Sequence, residues 1–322
     1  MLFYFDMESI MTSMVKSLPN FQFRTTLGIT NSLDGSTVYP KVTKTLYVSF
    51  ATDDCKSTLV GTLIKEQLDA ALDIFSNAGL VGDVDNLALP EKQSLLLNTM
   101  RKYPSIEIPP YNAVKKLASA DITYIKKLMA QLGCLVGLDF EFVNGQEYKA
   151  YPGYKTAICG IKGQMLAQMI RMDAMAFINI ENQDSCAIII DDNKNIRNNF
   201  DLLTQNRENI LGHEFMHCLG LSHPAYGSLD ENKQYNSIIE DNSPIITTCA
   251  SKSGNNFIQH LKCINPPAMP THVDIATLIG LFGHSENQTE SCEKIRENFV
   301  LQYPQYVELT NSGVDSTQYG EL

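Results

Sequence analysis

The 322-residue chain has no apolar run approaching the roughly 18 residues needed to cross a bilayer, so no membrane-spanning helix is expected. Its start, Met1-Leu2-Phe3-Tyr4-Phe5-Asp6-Met7-Glu8, lacks a basic stretch and is broken early by acids, so no secretory signal peptide is expected. Positive charge is in deficit: 25 Lys and Arg face 36 Asp and Glu, for a net charge of −11. That balance argues against nucleic acid or an anionic membrane as main partner, and an acidic soluble surface accounts for it. The eight cysteines, Cys55, Cys134, Cys159, Cys186, Cys218, Cys249, Cys263 and Cys292, include no C-x-x-C pair and no zinc-knuckle spacing. An even count suits disulfides in an oxidising compartment, and free thiols in a reducing cytosol suit it equally. Cys249 and Cys263, which flank a polar loop, are the first pair to test, and Cys218 reads as a small buried residue. No internal repeat is visible.

Histidine is scarce too, with six in the chain, yet three of them fall within eleven residues. The stretch His213-Glu214-Phe215-Met216-His217-Cys218-Leu219-Gly220-Leu221-Ser222-His223 reads H-E-x-x-H-x-x-G-x-x-H. On a helix, residues four apart share a face, so His213 and His217 can point their imidazoles at one ion. Glu214 follows the first ligand, where a carboxylate can take a proton from zinc-bound water. Gly220 can adopt the left-handed conformation that stops the helix, and the turn would bring His223 back as third ligand. Three histidines leave one position of a tetrahedral zinc open, the mark of a catalytic rather than a structural site.

Along the chain, Thr45 to Phe50 alternates as a strand, and Leu63 to Asn77 has helical spacing. A short helix is expected over Lys92–Met100 within a loop-rich stretch, and a longer one over Ala113–Leu132. Gly137 to Val143 reads as a strand. Thr204 is a plausible N-cap for the motif helix, which would run to Leu219. Asp191, Asn193 and Asn195 alternate oxygen donors as a calcium loop does, so a structural calcium ion enters as a candidate cofactor beside zinc. Ile196 and Leu202, however, stand where an EF-hand needs Gly and Glu.

The extended zinc motif is that of the metzincin metallopeptidases, and with Pro224 after the third histidine it looks most like the serralysin/matrixin branch. The flanks Ile210-Leu211-Gly212 and Leu219-Gly220-Leu221-Ser222-His223-Pro224 agree. Pro270 to Gly283 resembles the family's last helix, D-I-A-x-I-Q-x-L-Y-G, and would end at Gly283. Ala174-Met175-Ala176-Phe177 and Ala187 to Asp192 resemble the edge strand and the strand before the active-site helix. The likeness covers about residues 174–283, and the Gly-rich calcium repeats of full-length serralysins are absent.

The resemblance implies an α+β fold: a twisted, mostly parallel sheet with an antiparallel edge strand, a backing helix, an active-site helix and a small C-terminal subdomain. Either helix, 63–77 or 113–132, could be the backing helix, and the second is favoured because strand 138–143 follows it directly. The expected division is an N-terminal extension (1–39), a catalytic domain (40–284) and a C-terminal tail (285–322). The catalytic domain would carry an insertion at 51–110 and the C-terminal subdomain at 224–284. The implied activity is that of a zinc endopeptidase on protein or peptide substrates, with Glu214 as general base and His213, His217 and His223 as zinc ligands.

One departure matters. Where metzincins place a methionine in a turn beneath the zinc, Ile239 is expected from Gln234 to Asp241, with Met269 as rival, and Asp241 falls where serralysins carry a helper tyrosine. Tyr226 or Tyr235 could substitute. Val81-Gly82-Asp83 faintly echoes an aspartate switch, and Cys55 could also reach a zinc. Two rival functions follow: a catalytically silent zinc domain that recognises a partner through its cleft, and a zinc amidohydrolase acting on a non-protein amide. The compartment stays open between non-classical secretion and the cytoplasm.

Overall fold

The computed structural model describes residues 29–30, 37–38, 42–63, 65–106, 108, 111–145, 148, 150–163, 166, 174–179, 183–192, 207–221, 238 and 268–304. Two short strands, β1 (Ile29–Thr30) and β2 (Thr37–Val38), pair with each other antiparallel. The main sheet begins with β3 (Thr45–Ser49) and continues through β4 (Val114–Lys115), β5 (Asp139–Phe142), β6 (Lys155–Ile161), β7 (Ala174–Ile178) and β8 (Ser185–Asp191). Its order is β5-β3-β6-β8-β7, with β4 pairing the far end of β6. Strands β5, β3, β6 and β8 run parallel, and β7 closes the series antiparallel to β8. The fold is therefore α+β with a mostly parallel sheet and an antiparallel edge strand, as expected.

Both faces of the sheet are covered. In β8, Cys186, Ile188 and Ile190 point into one apolar core while Ala187 and Ile189 point into a second. In β6, Tyr154 (just ahead of the strand) and Ile158 join the first core, and Ala157, Cys159 and Ile161 join the second. Strands buried on both sides read as continuous apolar runs instead of alternating ones. That is why β6, the centre of the sheet, carries no period-two signal and lies outside the sequence-based expectations.

The first core is built by α4 (Ser119–Leu135), α5 (Arg207–Cys218), α6 (His272–Phe282) and α7 (Glu290–Gln302). Helix α4 is the backing helix, shorter at its N-terminus than expected because Tyr111–Ala113 forms a 3-10 turn and β4 follows. The second core is built by α1 (Thr52–Gly61), α2 (Lys65–Asn77) and α3 (Leu89–Lys102). These three helices occupy the stretch where an insertion is expected, and they form the layer on the opposite face of the sheet. Lys92 is buried within that layer, its ammonium held by Asp69 at 2.5 Å.

Part of the expected polar tail is packed structure. Helix α7 lies on α4, tied by the Cys134–Cys292 disulfide and by Arg296 Nε donating to the Cys134 carbonyl at 3.0 Å. Two further disulfides join Cys55 to Cys159 and Cys186 to Cys218. Cys218 is fully buried, as expected, but as half of a disulfide. Cys249 and Cys263 lie outside the described residues. Among the described residues, no helix is long and apolar enough to cross a membrane.

Candidate metal and catalytic site

Helix α5 carries the motif, and three devices hold it in place. At its start, Arg207 donates to both carboxylate oxygens of Asp121 on α4 (Nε to Oδ1 2.8 Å, Nη2 to Oδ2 2.7 Å) and to the Asp191 carbonyl at the end of β8 (2.6 Å). In its middle, Gly212 lets neighbours approach: a β-carbon there would collide with Tyr124 Oη and Ile238 Cδ1. Tyr124 is itself fixed by donating to the Ala268 carbonyl at 2.6 Å.

At its end, Gly220 has φ +95°, and the chain closes with Leu221 N–H donating to the Met216 carbonyl and Gly220 N–H to the His217 carbonyl. This is the paired 6→1 and 5→2 closure that a left-handed residue after a helix permits, with Leu221 and Met216 both buried. The helix stops at Cys218, one residue short of expectation.

The two described histidines of the motif converge. Their ring centroids are 4.7 Å apart, and His217 Nε2 lies 3.1 Å from His213 Nε2. His213 Nδ1 faces the Ile238 carbonyl at 3.0 Å, and His217 Nδ1 faces the Leu221 carbonyl at 2.7 Å. A carbonyl oxygen only accepts, so both Nδ1 atoms carry the proton and both Nε2 atoms present lone pairs. Two lone pairs so close repel unless a positive charge lies between them. Two nitrogens bound to one tetrahedral zinc at about 2.0–2.1 Å stand roughly 3.3 Å apart, so the pair fits a shared ion. His217 is buried, and desolvation, with His213 beside it, lowers its pKa to about 3.

Glu214, half-buried beside the first histidine, has its pKa raised to about 7 by burial, opposed by a hydrogen bond from the Ala176 backbone N–H. Ala176 belongs to β7, so the carboxylate lies against the antiparallel edge strand. His213 and His217 thus converge, with Glu214 next to His213 in the chain and its carboxylate against β7.

Among the described residues no group of three His, Cys, Asp or Glu side chains forms a metal cluster. His223, the expected third ligand, lies outside them, as do Ile239, Asp241, Tyr226, Tyr235, Asn193, Asn195 and Thr204. Met269, the rival for the turn beneath the site, packs partly buried against the first core. Ile238, fully buried, packs against the helix at Gly212.

Asp191, the first candidate calcium ligand, accepts the Leu166 N–H on Oδ1 at 2.9 Å and an Arg207 hydrogen bond on its carbonyl. Neither echo of a latency switch reaches the histidines. Cys55 is bonded to Cys159, and Asp83 accepts the Asp85 N–H within a turn of the opposite helical layer. In comparison with known proteins, no protein-family model matches the chain and no curated protein does.

Proposed function

We propose that the chain is a zinc-dependent endopeptidase that hydrolyses peptide bonds of protein substrates, the activity implied by the resemblance of residues 174–283 to metzincins. The observation that carries this reading is the convergence of two unprotonated Nε2 atoms 3.1 Å apart with a carboxylate next to them in the chain. His213 and His217 would hold the ion, with His223 as the expected third ligand. A zinc ion held there would supply Lewis acidity, activating a water and polarising the scissile carbonyl.

Glu214 takes the proton of the attacking water onto its carboxylate and returns it to the leaving nitrogen as the carbon–nitrogen bond breaks. A carboxyl group whose pKa burial has raised to about 7 can do both near neutral pH. The Ala176 N–H orients that carboxylate. An extended substrate lying along β7 would add as a further strand, with backbone bonds giving affinity. The three disulfides support an oxidising compartment.

The test is cleavage of a mixed peptide library by zinc-loaded protein, with Glu214→Ala alongside. Wild type is expected to cut, and the variant to bind one equivalent of zinc while cutting at least about 100-fold more slowly. Zinc binding by both with cleavage by neither would replace this reading with a partner-recognising zinc domain.

A further inference from the structure

One backbone edge of strand β7 meets the site carboxylate. Carrying the β7–β8 register one step beyond Ile178 and Cys186 sets Asn179 opposite Ser185, and the Asn179 N–H donates to the Ser185 carbonyl at 2.9 Å. Bonded positions alternate along an antiparallel pair, so Met175 and Phe177 turn their N–H and C=O groups toward β8 while Ala174, Ala176 and Ile178 turn theirs away. Among the described residues β7 is the last strand of the sheet order, so those groups point to its outer edge. Helix α5 packs on β7, and the Ala176 N–H, the middle donor of the row, goes to the Glu214 carboxylate.

We infer that Glu214 holds the place of a substrate carbonyl on Ala176: an extended peptide adding to β7 takes this N–H and displaces the carboxylate, so the base is freed only when a substrate lies in register. A strand that adds to an edge bonds to the outward N–H and C=O groups in turn, and it cannot run from Ala174 to Ile178 without reaching Ala176. A backbone N–H is a single donor, and a carboxylate is a stronger acceptor than a peptide carbonyl. The peptide must therefore gain enough from its other backbone bonds to dislodge Glu214, which favours peptides long enough to span the whole row. The inference deepens the endopeptidase reading and rests on it for the identity of the occupant, though the exchange of partners at Ala176 needs no metal.

The experiment records backbone amide hydrogen exchange along β7 in the full chain, for wild type, Glu214→Gln and Glu214→Ala. The probe is a mixed peptide library, with a chelator present so that nothing is cut. Without peptide, the Ala176 amide is expected to exchange about tenfold faster in Glu214→Ala than in wild type, the size of one lost charge-assisted bond. Met175 and Phe177, bonded to β8, hold their rates. The library is expected to slow exchange at Ala174 and Ile178, with half effect at about tenfold lower concentration in Glu214→Ala and an intermediate one in Glu214→Gln. Removing the base thus strengthens binding.

Ala176→Pro, a change an edge strand tolerates where the N–H faces outward, takes the donor from both acceptors. In that background Glu214→Ala is expected to bring no gain, and if the proline variant does not fold, the exchange rates and the library titration decide without it. An Ala176 amide indifferent to Glu214, or a library that binds Glu214→Ala no tighter than wild type, overturns the inference whether or not zinc-loaded wild type cuts. Tighter binding by Glu214→Ala with no cleavage by zinc-loaded wild type upholds the exchange of partners at Ala176 and sinks the endopeptidase reading instead.

Discussion

Cys218, the residue after His217, is joined by a disulfide to Cys186, the second residue of strand β8. The bond fastens the C-terminal end of the site helix to the sheet, one position from His217, and both cysteines are fully buried. Removing it acts on stability and on the site together. With a sequence separation of 32, Cys186→Ala plus Cys218→Ala is expected to cost about 4 kcal/mol in denaturant unfolding. Zinc affinity is expected to fall further than in Cys55→Ala plus Cys159→Ala, whose disulfide includes a residue of the opposite layer. Equal affinities in the two variants would show that the helix end needs no such anchor.

Gly220→Ala forces a β-carbon into a backbone with φ +95°. A loss of about 1–2 kcal/mol is expected, and a smaller one for Gly220→Asn, because asparagine tolerates the left-handed region better. Both should also weaken zinc binding, since the Leu221 carbonyl that orients His217 leaves this turn. Thermal melts and chelator competition measure the two effects. A stable Gly220→Ala protein with unaltered zinc affinity would contradict the role given to the turn.

Gly212→Ala should lose about 1–3 kcal/mol through overpacking against Tyr124 Oη and Ile238 Cδ1. Combined with Tyr124→Phe, which removes the colliding oxygen, part of that loss returns, a coupling on the order of 1 kcal/mol in a double-mutant cycle. Strict additivity would place the crowding elsewhere.

The metal-free protein should become less stable as acid is added. His217 titrates near 6.5 when unfolded and at about 3 when folded, so below 6.5 the unfolded chain binds a proton that the folded one refuses. Its contribution is present in full above pH 6.5 and is lost progressively toward pH 3. Melting temperatures across that window should fall more steeply for wild type than for His217→Leu. Parallel curves would mean that His217 ionises as easily in the fold as outside it.

The sequence made the local part of the site readable and left the non-local part hidden. Facing of His213 and His217 follows from four-residue spacing on a helix, and the Gly220 stop from its lack of a side chain. Strands β3 and β5 and the backing helix also carry local patterns, whereas β7 and β8 are legible through the family resemblance. Strand β6, divided between two cores as β8 is, lies outside the stretch that the resemblance covers. Helix α1 was missed because Thr52-Asp53-Asp54-Cys55-Lys56 begins it without an apolar stripe, although Cys55 and Leu59 are buried. Helix α7 reads as a polar tail because only Cys292 and Phe299 in it are fully withdrawn from water.

The contact of His213 Nδ1 with the Ile238 carbonyl joins residues 25 positions apart, and the bond from the Ile238 N–H to Asp274 Oδ2 joins residues 36 apart; no spacing rule spans such distances. A hint was present in Thr271 and Asp274, three apart, the interval at which a side chain reaches back to cap a helix. Ile238 packs against the motif helix at Gly212, and Ile239, expected beneath the zinc, lies outside the described residues.

The three-helix layer packs on the far side of the sheet from the motif helix, yet the site could not be cut free of it. Excising 52–102 would lay bare Ala157, Cys159, Ile161, Ala187 and Ile189, the undersides of the two strands at the middle of the sheet. A minimal fragment built only from the motif and its nearest supports would expose a broad apolar face to water and associate through it. The smallest working unit of this chain is therefore much larger than its chemistry, and shortening must begin at the ends of the sequence instead of at the segment that looks dispensable.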